Sequence, residues 1–357
     1  MSLEPHLLPV AQIEDDQPPL SLRSFRRRLA LSVLGALAVT GVLGFVLAGR
    51  RGQFVSALNT APVTLLAAAG LLQILALLAR SEAWNICVRA AGGTVSRRLL
   101  FRAAGVGYLA SVLNGSVGLV ARIASLRRVA PDTTPRLPAL LAAEVPIITV
   151  EVTLAAIFSF TLIAPLGVPW WAPVIAVAIM AGALTGLRRA CDRRRTGLWA
   201  GLAIVRGHGR GRMIAFVLLA VGAQIARNWL MLHAIGINVS VFDSMALLIA
   251  MFTLGQIPVG PSVGPAAAVL ILGGNGVAAT AAAGVLLAAT GTAGSLCYAA
   301  WAIGDRVIAG RLRAGSQPAA SLLAMVPPAA AAAAVASPVA LVAPVTVAPA
   351  AVLPTSG

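Results

Sequence analysis

The sequence predicts an all-α, polytopic integral membrane protein with about six spans and two opposed re-entrant hairpins arranged as an inverted repeat. Three observations carry this prediction. The 357 residues are 59% hydrophobic and 11% charged, with a mean hydropathy of +0.91, which is more apolar than a soluble core of this size requires. The apolar residues fall into runs of bilayer-spanning length. Every Lys-or-Arg position is arginine, and the arginines behind the formal charge of +16 lie mostly in short segments between those runs. Such a charge can signal nucleic-acid binding, but this placement is the mark of membrane topology, so no nucleic-acid partner is expected.

Residues 1–28 read as a disordered cytoplasmic tail, with Glu4, Glu14, Asp15 and Asp16 among prolines and a basic cluster at 23–28. The run 29–49 is too long for the core of a typical signal peptide and reads as an uncleaved signal anchor that opens a transmembrane domain over 29–313. A second span, 61–79, follows Arg50, Arg51 and the polar Asn59-Thr60. The segment 99–121 is interrupted by Asn114-Gly115-Ser116 and Gly118, whereas 137–164 and 170–187 are uninterrupted and joined by an uncharged loop. A basic loop, 188–212, precedes the span 213–235. The segment 245–272 is broken at Pro258-Val259-Gly260-Pro261-Ser262-Val263-Gly264, and the last clear span is 279–303. Residues 314–357 form an Ala/Pro/Val-rich, low-complexity tail whose prolines repeatedly break helix.

The arginines fix the topology. If 99–121 crossed the membrane, Arg122, Arg127, Arg128 and Arg136 would face the side opposite Arg80, Arg89, Arg97 and Arg98, against the positive-inside bias. A hairpin that enters and leaves by the cytoplasmic face removes the conflict, and 245–272, which has no arginine on its flanks, makes the matching hairpin from outside. Both termini are then cytoplasmic in the cell membrane, with Arg50 and Arg51 outside. Broken backbone at membrane depth has to be buried in protein or line a cavity, so both turns point to a central site.

The two broken segments resemble each other. Gly115-Ser116-Val117-Gly118 answers Pro261-Ser262-Val263-Gly264, Val95-Ser96 answers Val239-Ser240, and Trp84 answers Trp229, at a spacing of about 145 residues. The repeat units, about 61–164 and 213–305, run in opposite senses. Short, Gly/Pro-interrupted helices at matching positions of inverted repeats are the pattern of transporters, with half-sites meeting near the midplane.

The candidate substrate pathway follows from the turns and from the charges at membrane depth. The turns contribute Asn114, Ser116, Gly118, Arg122, Pro258, Gly260, Pro261, Ser262 and Gly264. Glu144 and Glu151 lie one heptad apart, within about 20° on one helix face, where carboxylates serve a proton or headgroup pathway or pair with a loop arginine. Gln224, Arg227 and Asn228 form a polar cluster within 213–235. Arg227 is the expected partner of Glu151, either as a structural ion pair or as the binder of a lipid phosphate. Cys87, Cys191 and Cys297 and the three histidines have no metal-ligand spacing. No catalytic triad, P-loop or soluble domain occurs, so no enzymatic activity, metal or cofactor is expected.

Gly107-Tyr108-Leu109, the turn through Gly118, and Arg122 resemble the first signature of the lysylphosphatidylglycerol synthase transmembrane family, a flippase-like domain. Ile257-Pro258, Gly260-Pro261, Gly264 and the Gly276-Val277 step before an Ala-rich helix resemble its second signature, and the likeness runs from about Ala61 to Arg313. Leu119 and Pro265-Ala266-Ala267 stand where that family often has an acidic residue, and the soluble aminoacyl-transferase domain is absent. The resemblance implies movement of a lipid between leaflets: an anionic or modified phospholipid, or a polyprenyl-linked lipid. Two alternatives stand beside it. One is a non-transporting membrane scaffold with a cell-envelope protein partner, and the other is a small-solute transporter.

Overall fold

A computed structural model describes residues 49–111, 115–193, 197–255 and 263–324, together with Gly41 and Phe45, with Ser116, Gly197, Leu198 and 309–324 described by backbone alone. Among the described residues all regular structure is helical. The helices are α1 (Arg51–Thr60), α2 (Val63–Ala90), α3 (Arg97–Ser111), α4 (Gly115–Val129), α5 (Leu137–Ala142), α6 (Val145–Phe158), α7 (Ile163–Leu166) and α8 (Trp171–Arg193). They continue with α9 (Arg210–Ala234), α10 (Val241–Leu254), α11 (Val263–Leu272) and α12 (Val277–Ala324).

Five stretches are long and apolar enough to cross a bilayer: Val63–Ala90, Leu137–Leu166, Trp171–Arg193, Arg210–Ala234 and Val277–Ile308. Large apolar side chains such as Leu71, Trp171, Ile179 and Ile303 lie exposed on them, a surface suited to lipid rather than water. The chain is an all-α multi-pass membrane protein. The five match the expected spans from 61 onward, and the expected span at 29–49 lies outside the described residues except for Gly41, Phe45 and Gly49.

The compact unit ends at Ile303, and a second unit begins at Gly304. The second unit, taken by itself, continues as helix to Ala324, so the expected low-complexity tail begins as helix; 325–357 lie outside the described residues.

Both broken segments are helix pairs. The α3 helix has 15 residues and spans about 22 Å, short of the ~30 Å hydrocarbon core; α10 and α11, with 14 and 10 residues, are shorter still. In the first pair the backbones touch. A Cβ on Gly107 would stand 2.7 Å from Arg122 Cβ, and one on Gly118 would stand 2.7 Å from Gly107 O. In the second pair, Gly264 instead serves the approach of α11 to α12, where an added Cβ would meet Gly284 O at 2.7 Å.

The long helices α2 and α9 pack antiparallel through small side chains: Ala76 and Ala79 meet Ala220 and Ala223, Gln73 meets Arg227, and Ile86 lies near Gly209. Lipid tails are as apolar as side chains, so close backbone approach supplies the attraction that hydrophobic burial gives in water. Each helix then ends alike. Gly92 (φ 89°) and Gly236 (φ 80°) take the left-handed conformation, buried Val95 and Val239 follow, and the hydroxyls of Ser96 and Ser240 accept the Leu99 and Asp243 N–H groups at the starts of α3 and α10. The three pairs stand at one separation in the chain, so matching elements recur on two antiparallel helices. Trp84 and Trp229 differ: the first is fully buried, the second exposed.

Three segments depart from expectation. The α2 helix does not stop at Ala79 but runs on to Ala90 through Arg80 and Glu82. The stretch 137–166 breaks at Ala143–Glu144, because Pro146 has no N–H for the Ala142 carbonyl and its ring crowds it. The basic loop 188–212 contains a 3₁₀ segment, Gly197–Val205, which buries Leu202 and Ile204 and comes so near α5 that a Cβ on Gly201 would meet Ala142 Cβ at 2.6 Å.

Candidate functional site

A cavity of about 210 Å³ lies among α2, α6, α9 and α10. Arg80, Glu151, Gln224 and Arg227 form its polar wall, and Leu154, Phe158, Leu248 and Phe252 contribute to the apolar remainder. Three residues expected in the substrate pathway, Glu151, Gln224 and Arg227, are therefore brought together here.

Their pairing differs from expectation. Glu151 does not pair with Arg227; it takes Arg80 in a two-pronged ion pair, with Arg80 Nη1 2.6 Å from Oε1 and Nη2 3.0 Å from Oε2. That fork uses both carboxylate oxygens and explains why a charge inside α2 does not end the helix. Sequence spacing alone could not show it, since the rotation of α2 that turns Arg80 toward α6 is set by packing.

Arg227 is 5% exposed and has no carboxylate partner among the described residues. Its guanidinium donates to Gln73 Oε1 on α2 and, at 3.5 Å, to Asn228 Oδ1. Arg227 Nε and Asn228 Nδ2 are buried donors without an acceptor among the described residues. The glycine face of α12 makes room for this group: a Cβ on Gly291 would stand 3.3 Å from Arg227 Nη1, and one on Gly294 would stand 2.6 Å from Gln73 Cγ. A desolvated cation with orphaned donors beside a cavity is arranged to meet an anionic acceptor.

A second buried ion pair lies apart from the cavity lining. Glu144, at the Pro146-induced break, pairs with Arg122 of α4, with exposures of 3% and 7%. The Arg122 guanidinium also lies over the Trp84 ring, 4.3 Å from its centroid. The two glutamates a heptad apart thus tie the same span to two different helices, α4 and α2. Gly118 and Gly264 serve close helix approach, as their packing shows. Asn114, Pro258, Gly260, Pro261 and Ser262 lie outside the described residues, as does the Ser116 side chain.

Three further residues take part that the sequence pattern does not single out: Gln73, Arg80, which is grouped above with the cytoplasmic arginines, and Glu82. The last is 4% exposed and gathers Arg97 Nε at 2.8 Å, Arg212 at 3.6 Å and Asn85 at 3.4 Å, joining the start of α3 and the start of α9 to α2. A signal was present: Arg80 and Glu82 follow an apolar run with no turn residue between. No protein-family model, curated protein or solved structure matches the chain.

Proposed function

We propose that this protein translocates lipid, passing an anionic headgroup through the Arg227 cavity while the acyl chains stay in the bilayer. The observation that carries the reading is Arg227: buried within a membrane span, unpaired by any carboxylate among the described residues, and facing a cavity. Intramembrane charge is costly and persists where it serves a pathway. The cavity, about 210 Å³, falls below the ~300–1,000 Å³ of sites that enclose drug-sized ligands, so it suits a headgroup and not a whole lipid. The matched short-helix pairs and the resemblance to the flippase-like family support the same reading. On the arginine distribution we place the protein in the cytoplasmic membrane with both termini inside.

The test is reconstitution. Vesicles containing the protein should move a fluorescent anionic phospholipid between leaflets, and Arg227→Gln should cut the initial rate about tenfold or more at equal folded yield. No movement above empty vesicles across a panel of anionic and polyprenyl-linked lipids would sink the proposal.

A further inference from the structure

We infer that the Arg227 cavity accepts one singly charged phosphate-diester anion at a time, and that membrane voltage drives its passage. The inference rests on the translocation reading for the lipid itself, but its core is a charge count.

Within the cavity Arg80 and Glu151 cancel, because their two-pronged pair joins one cation to one anion. Arg227 is held by the neutral oxygens of Gln73 and Asn228, so the empty site carries one net positive charge. Outside the cavity lining, Arg122–Glu144 is internally balanced, and Glu82 pairs with Arg97 and Arg212, whose side chains are 62% and 68% exposed and so screened by solvent. Residues 112–114 and 256–262, outside the described residues, contain no ionisable group. In a medium of low dielectric constant the favoured ligand is the one that brings the site to neutrality. A phosphate diester does so with one charge, and its unesterified oxygens accept from the guanidinium of Arg227, which lines the cavity and whose Nε has no acceptor among the described residues. A zwitterionic headgroup leaves the positive charge in place. A fully ionised phosphate monoester overshoots it and competes with Glu151 for Arg80.

The electrical consequence follows. The loaded site crosses as a neutral unit and the empty site returns as a cation, so each cycle moves one negative charge with the lipid. A potential negative inside therefore sends the anion outward.

The experiment uses the full chain in proteoliposomes under potassium–valinomycin potentials of both signs. The lipid probes are fluorescent phosphatidylglycerol, phosphatidic acid and phosphatidylcholine, and dimethyl phosphate serves as a water-soluble diester. Phosphatidylglycerol should move fastest, and its leaflet ratio should change about tenfold per ~59 mV, the slope for one charge. Glu151→Gln raises the site to two positive charges and should shift the rate ratio of phosphatidic acid to phosphatidylglycerol upward roughly tenfold. Lipid movement indifferent to voltage overturns the inference and leaves the translocation reading standing. Uptake of dimethyl phosphate with the one-charge slope, but without lipid movement, upholds the charge rule and refutes the lipid reading. If Glu151→Gln does not fold, the voltage slope of the unsubstituted protein decides alone.

Discussion

The seam between α6 and α10 and the seam between α3 and α12 each join a stretch long enough to span the bilayer to one of the short helices. They are built differently. Between α6 and α10, beside the facing stretches of α2 and α9, stands the cavity with Arg80, Glu151, Gln224 and Arg227. Between α3 and α12 there is close contact: a Cβ on Gly105 would meet Ala302 Cβ at 2.7 Å, and Tyr108 meets Tyr298 edge-on with ring centroids 5.5 Å apart. Ser81 bridges both tyrosine hydroxyls, at 3.2 and 3.1 Å. At the separation that matches Gly92 with Gly236, Arg80 matches Gln224 and Tyr108 matches Phe252. Similar frameworks thus carry a packed, neutral seam and a charged, hollow one. The difference lies in the side chains; under the proposed function, the packed seam serves stability and the hollow one the ligand.

Substitutions can break this contrast, and the largest effect should come from the buried pair outside both seams. Arg122→Ala leaves Glu144 buried without its partner and Trp84 without its cation, and should cost about 3–5 kcal/mol in denaturation measured in lipid nanodiscs. A cost below about 1 kcal/mol would show that water reaches Glu144. Next come the two glycines that end α2 and α9. Gly92→Ala and Gly236→Ala each force a Cβ into the left-handed region with no steric contact within 4 Å, so each should cost about 1–2 kcal/mol, and by similar amounts. Clearly unequal losses would weaken the equivalence of the repeats. The smallest effect belongs to the packed seam: Tyr298→Phe removes the hydroxyl bond to Ser81 and should cost about 0.5–1.5 kcal/mol while leaving lipid movement nearly unchanged.

Much of this architecture is legible in the sequence, for reasons that also explain the omissions. The spans from 61 onward are visible because the bilayer demands long apolar runs and the arginines punctuate them. The helix pairs are visible because glycine and proline interrupt two of those runs. Arg80 was hidden by the same rule, since a charge at the end of an apolar run reads as its boundary unless its counterion is known, and Glu151 lies on another helix. The Glu151–Arg227 pairing failed because sequence fixes neither helix rotation nor depth, and here packing turns Arg80 toward Glu151 and Arg227 toward Gln73. The 3₁₀ segment at 197–205 was lost between flanking arginines, too short to register as a span.

The central claim is that Arg227 in the hollow seam handles an anionic headgroup. It is tested most directly by measuring flipping of labelled phosphatidylglycerol in proteoliposomes for the unsubstituted protein, Arg227→Gln and Tyr298→Phe, at matched folded yield. The account predicts about a tenfold or greater loss for Arg227→Gln alone. Full activity in a correctly folded Arg227→Gln protein would contradict it.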